Sequence, residues 1–186
     1  MTHAQEHATR ITHTQEQATR MTHTQEQATR ITHTQEQATR IQSPADLLQL
    51  TGQPLGVSPW HHITQDRVNL FADSTGDHQW IHVDPVRAAA GPFGRPIAHG
   101  YLTLALGPLL IAQTLHVEEL TAALNYGLNK VRFPTPVPVG SRLRGVVTLL
   151  GAQQRPAGIE AVFTVVYELQ GSDRPACVAE FVAIYR

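Results

Sequence analysis

The sequence GYLTLALGPLLIAQTL, residues 100–115, decides the fold, because it is apolar almost all the way round a helix. A helix without a polar face is covered on every side by the rest of the protein. Its 16 residues are too few to cross a bilayer, which needs about 20. The segment therefore predicts one helix buried at the centre of the molecule.

Four segments rich in Val, Leu, Phe and Tyr follow this helix, and Pro- and Gly-containing turns separate them. They span residues 122–133, 142–151, 158–169 and 176–185. Short apolar runs divided by turn residues are typical of antiparallel strands. One wholly apolar helix followed by a long sheet predicts an α+β fold and fits a sheet wrapped around a helix.

Three shorter helices are predicted before the central one, each with a capping residue at its start: Ser43, Thr64 and Asp84. The second of them is expected to turn three apolar side chains to the core: Val68, Leu70 and Phe71. Between the second of these helices and the central one runs a long segment, residues 76–99, which contains the third short helix. A loop of this length in a compact domain is usually functional.

Residues 2–41 are four copies of a decapeptide, and the last two copies read THTQEQATRI. Each copy has one Arg, one Glu and one large apolar residue, which is too few apolar residues to build a core. The ten-residue period matches no coiled-coil repeat. Single histidines ten residues apart do not converge on one metal ion. We therefore expect residues 1–41 to be a disordered or partly helical tail and residues 42–186 to be the folded domain.

The composition excludes some classes of partner. The 14 Lys and Arg nearly balance the 15 Asp and Glu, so the charge gives no reason to expect binding to nucleic acid or to an anionic membrane. The one cysteine, Cys177, cannot form a disulfide within the chain. It is expected to be a buried core residue, and the lack of disulfides fits a reducing cytoplasm.

The long loop carries the residues with the most chemistry. Asp77 and His82 lie five positions apart after Gly76, which lets a carboxylate and an imidazole face one small volume. Together they can hold one water molecule and exchange protons with it. His99 and Gly100 begin the buried helix, where backbone N–H groups without helical partners can face a developing negative charge. The spacing alone does not separate catalysis from structural hydrogen bonding.

The segments TGDHQWIHVD at 75–84 and RPIAHG at 95–100 resemble the motif of the MaoC-like dehydratases, which include R-specific enoyl-CoA hydratases. The similarity continues through NYGLNKVRFP at 125–134 and covers about residues 43–186. It implies a hot-dog fold, in which an antiparallel sheet wraps a long central helix, and a homodimer with the active site near the interface. It also implies a lyase that reversibly hydrates trans-2-enoyl-CoA to (R)-3-hydroxyacyl-CoA without a metal or other cofactor; the expected compartment, from the lack of disulfides, is the cytoplasm.

The resemblance gives the catalytic roles to Asp77 and His82, and the contact with the substrate carbonyl to the N–H of Gly100. The family's usual Asn-Pro between the two catalytic positions is Gln79-Trp80 in this chain. Glutamine can still orient a neighbouring group by hydrogen bonding. Tryptophan would narrow the pocket, so the departure bears on substrate size more than on the type of reaction.

Five residues are expected to contact the substrate, which is an acyl thioester of coenzyme A or of a carrier protein: Gln79, Trp80, His99, Lys130 and Arg132. Lys130 and Arg132 share strand parity, so both could face the phosphates of coenzyme A. A solvated strand face is the alternative for these two. His78, next to Asp77, is expected to point away from the site.

Two other functions remain open at this stage. Hot-dog domains also hydrolyse acyl-CoA, and a thioesterase needs the same positioned carboxylate and water. A non-catalytic protein that binds acyl thioesters or acts as a nodulation-type interaction partner is the third reading. An intact Asp77–His82 pair speaks against that last reading without excluding it.

Overall fold

The computed structural model describes residues 38–186, so the predicted tail up to residue 37 lies outside the described residues. Within the described part, no helix is both long and apolar enough to span a membrane. The eight strands named there are β1 Thr39–Ile41, β2 Pro54–Val57, β3 His61–His62, β4 Leu115–Val117, β5 Ala123–Arg132, β6 Arg142–Arg155, β7 Gly158–Leu169 and β8 Cys177–Tyr185. The helices are a 3-10 helix Pro44–Gln49, then α1 Gln65–Thr75, α2 Trp80–Val83, α3 Pro85–Ala89, α4 Gly100–Ala105 and α5 Gly107–Thr114.

The main sheet has the strand order β2-β6-β7-β8-β5, and β3 pairs with β6 beside β2. All of its pairings are antiparallel. The four strands predicted from the apolar segments are thus confirmed as β5 to β8. At least every second residue of β7 and β8 is buried and joins the core around α4 and α5. The sheet packs on the central helix, as the sequence predicts. The prediction that this helix is covered on every side is wrong for the single chain, because one face of it is exposed: Tyr101, Ala105, Leu109 and Ala112.

The central helix is interrupted at Leu106, where the sequence predicts one continuous helix. Pro108 has no N–H, so it cannot bond the carbonyl of Leu104 one turn earlier. The hydroxyl of Tyr167 on β7 donates a hydrogen bond to that carbonyl at 2.9 Å. Burial raises the pKa of Tyr167 well above its usual range, so the phenol keeps the proton that it donates. The break is therefore held by a side chain of the sheet.

Replacing Tyr167 by phenylalanine is expected to lower the free energy of unfolding by about 1–2 kcal/mol, because the Leu104 carbonyl loses its phenolic donor. Tyr185→Phe is the control: Tyr185 is also buried, but its hydroxyl makes no hydrogen bond within residues 38–186. Urea unfolding of both variants checks the difference. Equal stability of the two variants would contradict the role given to the Tyr167 hydroxyl.

The predicted helix starts at Ser43, Thr64 and Asp84 are confirmed. The side chains of Thr64 and Asp84 each accept a hydrogen bond from the N–H three residues further on. Asp84 is thus a helix cap. In α1 the prediction for one apolar position is wrong: Leu70 is 66% exposed, whereas Val68 is fully buried.

The last residues of the fourth decapeptide are part of a strand, so the predicted boundary after residue 41 falls too late. Thr39–Ile41 form β1 and pair in parallel with Leu115–Val117. The hydroxyl of Thr39 donates to the carbonyl of Leu55 at 2.7 Å. Ile41 packs against the core. The repeat alone could not show this pairing, because the partner strand lies more than 70 residues away in the sequence.

Candidate active site

Asp77 stands on a turn that the end of α1 creates. Gly76 follows the last residue of α1 with φ of +78°, a left-handed conformation that glycine adopts without strain. Its N–H donates to the carbonyl of Ala72 at 2.7 Å and closes the helix. The chain then leaves the helix axis, and the side chain of Asp77 is exposed.

His82 lies in α2 and is only 6% exposed. Its Nδ1 is 2.7 Å from the carbonyl oxygen of Ile97. A carbonyl can only accept, so Nδ1 carries the proton and Nε2 keeps a lone pair. Burial lowers the pKa of His82, and the neighbouring His99 lowers it further, against opposing effects of the Ile97 carbonyl and Asp77. His82 is therefore a neutral imidazole at pH 7, with Nε2 ready to accept a hydrogen bond.

His99 immediately precedes α4 and is 2% exposed. Its Nε2 is 2.9 Å from the backbone carbonyl oxygen of Asp77, so this nitrogen donates. Its ring stacks on that of His82, with centroids 3.8 Å apart and planes 29° from parallel. The Nδ1 of His99 is buried and has no hydrogen-bond partner within residues 38–186. The donor nitrogen of His99 is thus already engaged with the Asp77 carbonyl, and its contact with the substrate stays a prediction.

Asp77, His82 and His99 bring a carboxylate and two imidazoles together, with one candidate ligand atom from each lying within 4.8 Å of the others. Such a donor set suits Zn²⁺ or Fe²⁺. A ring nitrogen binds a metal in the plane of its ring, however, and two nearly parallel stacked rings direct their lone pairs past each other. A shared ion would require one ring to turn. The expectation that the reaction needs no metal stays a prediction.

Gly100 is the first residue of α4, beside this cluster. The carbonyl of His99 accepts the first helical hydrogen bond, from Thr103 at 3.1 Å. Within the described part of the chain, the N–H of Gly100 has no such partner. A Cβ placed on Gly100 would lie 3.5 Å from the ring of Phe133, which is ordinary contact. Neither packing nor backbone conformation therefore requires glycine at this position.

The other predicted contacts are less closely joined to the pair. Gln79 is exposed and precedes α2 without capping it by its side chain. The ring of Trp80 packs under the guanidinium of Arg87, 4.6 Å from the ring centroid, and beside Gly91. These contacts fix the direction of the Trp80 ring, which the sequence could not show because Arg87 lies on α3. The expectation that Trp80 narrows the pocket stays a prediction.

Lys130 and Arg132 lie on β5 and are exposed. They pair in unbroken register with β8, so the predicted shared face is confirmed, and their contact with phosphates stays a prediction. His78 points away from the pair, as predicted. Its Nε2 lies 2.9 Å from the carboxylate of Asp73, which raises the pKa of His78.

Two contributors were not predictable from motif reading. The Ile97 carbonyl fixes the tautomer of His82, and any residue type could supply that oxygen. Gln65 in α1 donates to the backbone carbonyl of His82 at 2.8 Å. Its position 17 residues earlier gave no signal.

Comparison with known proteins settles the family. Residues 46–169 match the family model described as the MaoC like domain. The chain belongs to the MaoC-like dehydratases. As a member of this family it is a hydro-lyase, an enzyme class that adds or removes water.

Curated relatives of this MaoC-like dehydratase span nearly the same folded region. The 3-hydroxyacyl-thioester dehydratase Z of Mycobacterium tuberculosis is 56% identical over 145 residues, which are 77% of this chain and 96% of that protein. Nodulation protein N of Rhizobium meliloti is 46% identical over 143 residues, covering 75% of this chain and 89% of that protein.

Solved structures confirm the hot-dog fold of the MaoC-like dehydratase. The unliganded R-hydratase PhaJ1 of Pseudomonas aeruginosa superposes with a TM-score of 0.63 at 25% identity, over 77% of this chain and 84% of that one. The (R)-hydratase of A. caviae involved in PHA biosynthesis gives 0.61 at 27% identity, over 73% and 96%. The predicted fold class and family are thus confirmed.

Proposed function

We propose that this enzyme reversibly hydrates trans-2-enoyl-CoA thioesters to (R)-3-hydroxyacyl-CoA. The observation that carries the proposal is the meeting of the Asp77 carboxylate with the neutral, buried imidazole of His82 beside a free helix-start N–H. The names of the relatives support the same substrate class, since one is a 3-hydroxyacyl-thioester dehydratase and two structural neighbours are R-hydratases.

In this mechanism the thioester carbonyl oxygen accepts a hydrogen bond from the N–H of Gly100, which draws electron density away from C3. Asp77 and His82 hold one water molecule between them. Its oxygen bonds to C3 while one of its protons passes to the pair, and a proton from the pair is added at C2. Asp77 and His82 share the two transfers, because water addition can be concerted. The reverse sequence removes water from the 3-hydroxyacyl thioester.

Replacing Gly100 by alanine is expected to lower the activity without lowering the thermal stability. The new methyl group meets Phe133 only at ordinary contact distance, and alanine favours helix more than glycine does, so thermal stability is kept or raised. The same methyl group stands where the thioester carbonyl approaches the N–H. Misplacing a reacting group by about 1 Å costs on the order of 10²-fold in kcat/KM. Calorimetry and initial rates on one preparation check both halves; full activity in Gly100→Ala would contradict the contact.

We also propose that the enzyme is a homodimer joined through β5. This strand is the last in the sheet order, and almost every residue along it is exposed. Its large apolar side chains Leu124, Tyr126 and Leu128 are 45%, 72% and 44% exposed. The free edge of a long apolar strand can pair with another strand. The β5 of a second copy has the same edge and the same apolar side chains, so the two strands can pair with each other. Phe133, just beyond β5, has its ring 3.5 Å from the position of a Cβ on Gly100, so such an interface would border the site.

Leu128→Lys is expected to shift the protein from dimer to monomer at micromolar concentration, because a charged side chain opposes pairing at a sheet edge. Leu150→Lys on β6 is the matched control, since Leu150 is equally exposed at 44%. Sedimentation velocity measures both. A monomeric wild type, or a dimer in Leu128→Lys that is as stable as in the control, would contradict the β5 interface.

The substrate assignment is tested with crotonyl-CoA and a longer enoyl-CoA. Loss of the enoyl-thioester ultraviolet absorbance without release of free thiol supports hydration. Release of free thiol favours the thioesterase, which also uses a positioned carboxylate and water. If neither substrate changes at high enzyme concentration, carrier-protein thioesters are tested next, and then a non-catalytic binding role. We propose the cytoplasm as the compartment, and Lys130 and Arg132 as contacts for the phosphates of coenzyme A.

A further inference from the structure

His99 contacts both Asp77 and His82, although neither proton transfer of the proposed hydration reaction requires it. Its Nε2–H donates to the main-chain carbonyl of Asp77 at 2.9 Å. Its ring lies against the ring of His82, 3.8 Å between centroids. The buried side chain of His99 therefore connects the turn that carries the Asp77 carboxylate to the imidazole of His82, whose Nε2 is free.

Within the described residues, the His99 contact is the hydrogen bond that joins the turn at Asp77 to a distant part of the chain, because the other hydrogen bonds of this turn stay within residues 72–78. The N–H of Asp77 reaches the hydroxyl of Thr75 only at 3.4 Å, near the limit for such a bond. The carboxylate is exposed and has no hydrogen-bond partner within residues 38–186. His99 is itself anchored, since it begins α4 and its ring also packs 5.0 Å from that of Phe71. Loss of the Nε2–H would let the turn move while the rest of the fold stays in place.

Two contacts hold the imidazole of His82: a hydrogen bond in the plane of the ring and a stacked ring on one of its faces. The Ile97 carbonyl holds Nδ1 but permits rotation about that hydrogen bond. The stacked ring of His99 blocks this rotation from one side. A side chain that supplied only a hydrogen bond, or only a flat ring, would do one of the two tasks of His99.

We propose that His99 is a positioning residue for the hydration reaction: its N–H fixes the main chain at Asp77 and its ring fixes the plane of His82, so that both groups face one water molecule. This inference rests on the proposed function and deepens it. It also replaces the expectation that His99 contacts substrate. A group that positions others changes kcat more than KM, whereas a substrate contact changes KM as well.

A second consequence concerns protonation of His82. The titratable groups that face its ring are Asp77 on the turn and His99 before α4, and the Ile97 carbonyl is the third polar neighbour. Burial and His99 both lower the pKa of His82. Removing the His99 ring lessens both effects, so the pKa of His82 rises. Because the neutral imidazole is the active form, the loss of activity on acidification then begins at a higher pH.

Three substitutions separate the two tasks. His99→Gln keeps an N–H donor but loses the flat ring. His99→Phe keeps a ring of similar size but loses the donor to the Asp77 carbonyl. His99→Ala loses both, and thermal unfolding of each variant shows which ones remain folded.

The experiment measures kcat and KM of these variants with crotonyl-CoA across pH, and the titration of His82 by NMR of its imidazole signals. The proposal expects kcat to fall on the order of 10²-fold in His99→Ala, less in Gln and Phe, with KM within about twofold of wild type. The His82 titration and the acidic limb of kcat/KM should both move to higher pH in Ala and Gln, and less in Phe. The NMR titration needs no turnover, so it tests His99 even if the wild type proves inactive on enoyl thioesters.

Two results would overturn the proposal. One is a rise in KM at unchanged kcat, which would make His99 a substrate contact. The other is a His82 titration that does not move in folded His99→Ala or His99→Gln, which would mean that the stacked ring leaves His82 unaffected.

Discussion

Asp77→Asn and His82→Ala are each expected to lower kcat/KM for an enoyl thioester by ~10²–10⁴-fold, the usual cost of losing one acid–base group. Asparagine has nearly the shape of aspartate but does not accept a proton under these conditions. Alanine at position 82 removes the Nε2 of His82, whose lone pair is free to accept a proton. Initial rates on crotonyl-CoA measure the losses.

The double variant should be hardly less active than the single ones, because both groups act on one water molecule. His78→Ala is the control: His78 adjoins Asp77, but its imidazole is turned to Asp73. It should retain wild-type kcat and KM. Full activity in Asp77→Asn, or an equal loss in His78→Ala, would contradict the assignment of the pair.

Gly107→Ala is expected to lower the free energy of unfolding by about 3 kcal/mol or more. A Cβ at this position would lie within 3 Å of the ring of Phe181 and of the Tyr167 hydroxyl. Both neighbours are buried, so neither can swing into solvent. The methyl group would also displace the hydroxyl from the Leu104 carbonyl that it caps.

Gly151→Ala on β6 is the matched control, because a Cβ there meets no atom within 4 Å. Its φ is not in the left-handed region, so alanine is not strained. Urea unfolding should separate the two variants by a clear shift in midpoint. Equal midpoints would mean that α5 can move away from the sheet at no cost, against the close approach at Gly107.

The architecture was predictable because each element carries its own pattern. The apolar helix was expected to pack against the rest of the molecule, and four apolar segments divided by turns are typical of strands that pack on it. The exposed face of this helix was not predicted, because its residues are as apolar as those of the buried face. The break at Leu106 was not predicted, although Pro108 stands in the segment, because the compensating hydroxyl comes from Tyr167 on another strand. The parallel pairing of Thr39–Ile41 was not predicted for the same reason, because nothing in the repeat sequence indicates that Leu115–Val117 is its partner strand.

The candidate site, like the fold, could be predicted only in part from the sequence. Asp77, His82 and Gly100 could be named from a motif, because the chemistry depends on the side chains of the first two and on the place of Gly100 at the start of an apolar helix. The contacts that orient them use main-chain oxygens of Ile97 and Asp77, which every residue type possesses. The stacking of His99 on His82 is likewise a property of two distant segments brought together.

The most direct test of the proposed reaction identifies the product that wild-type enzyme forms from crotonyl-CoA, with Asp77→Asn run beside it. The product is separated by chromatography, its configuration is determined, and free coenzyme A is measured in the same sample. We expect (R)-3-hydroxybutyryl-CoA, no free thiol, and almost no product from Asp77→Asn. Free coenzyme A, the S product, or equal turnover by the variant would contradict hydration by the Asp77–His82 pair.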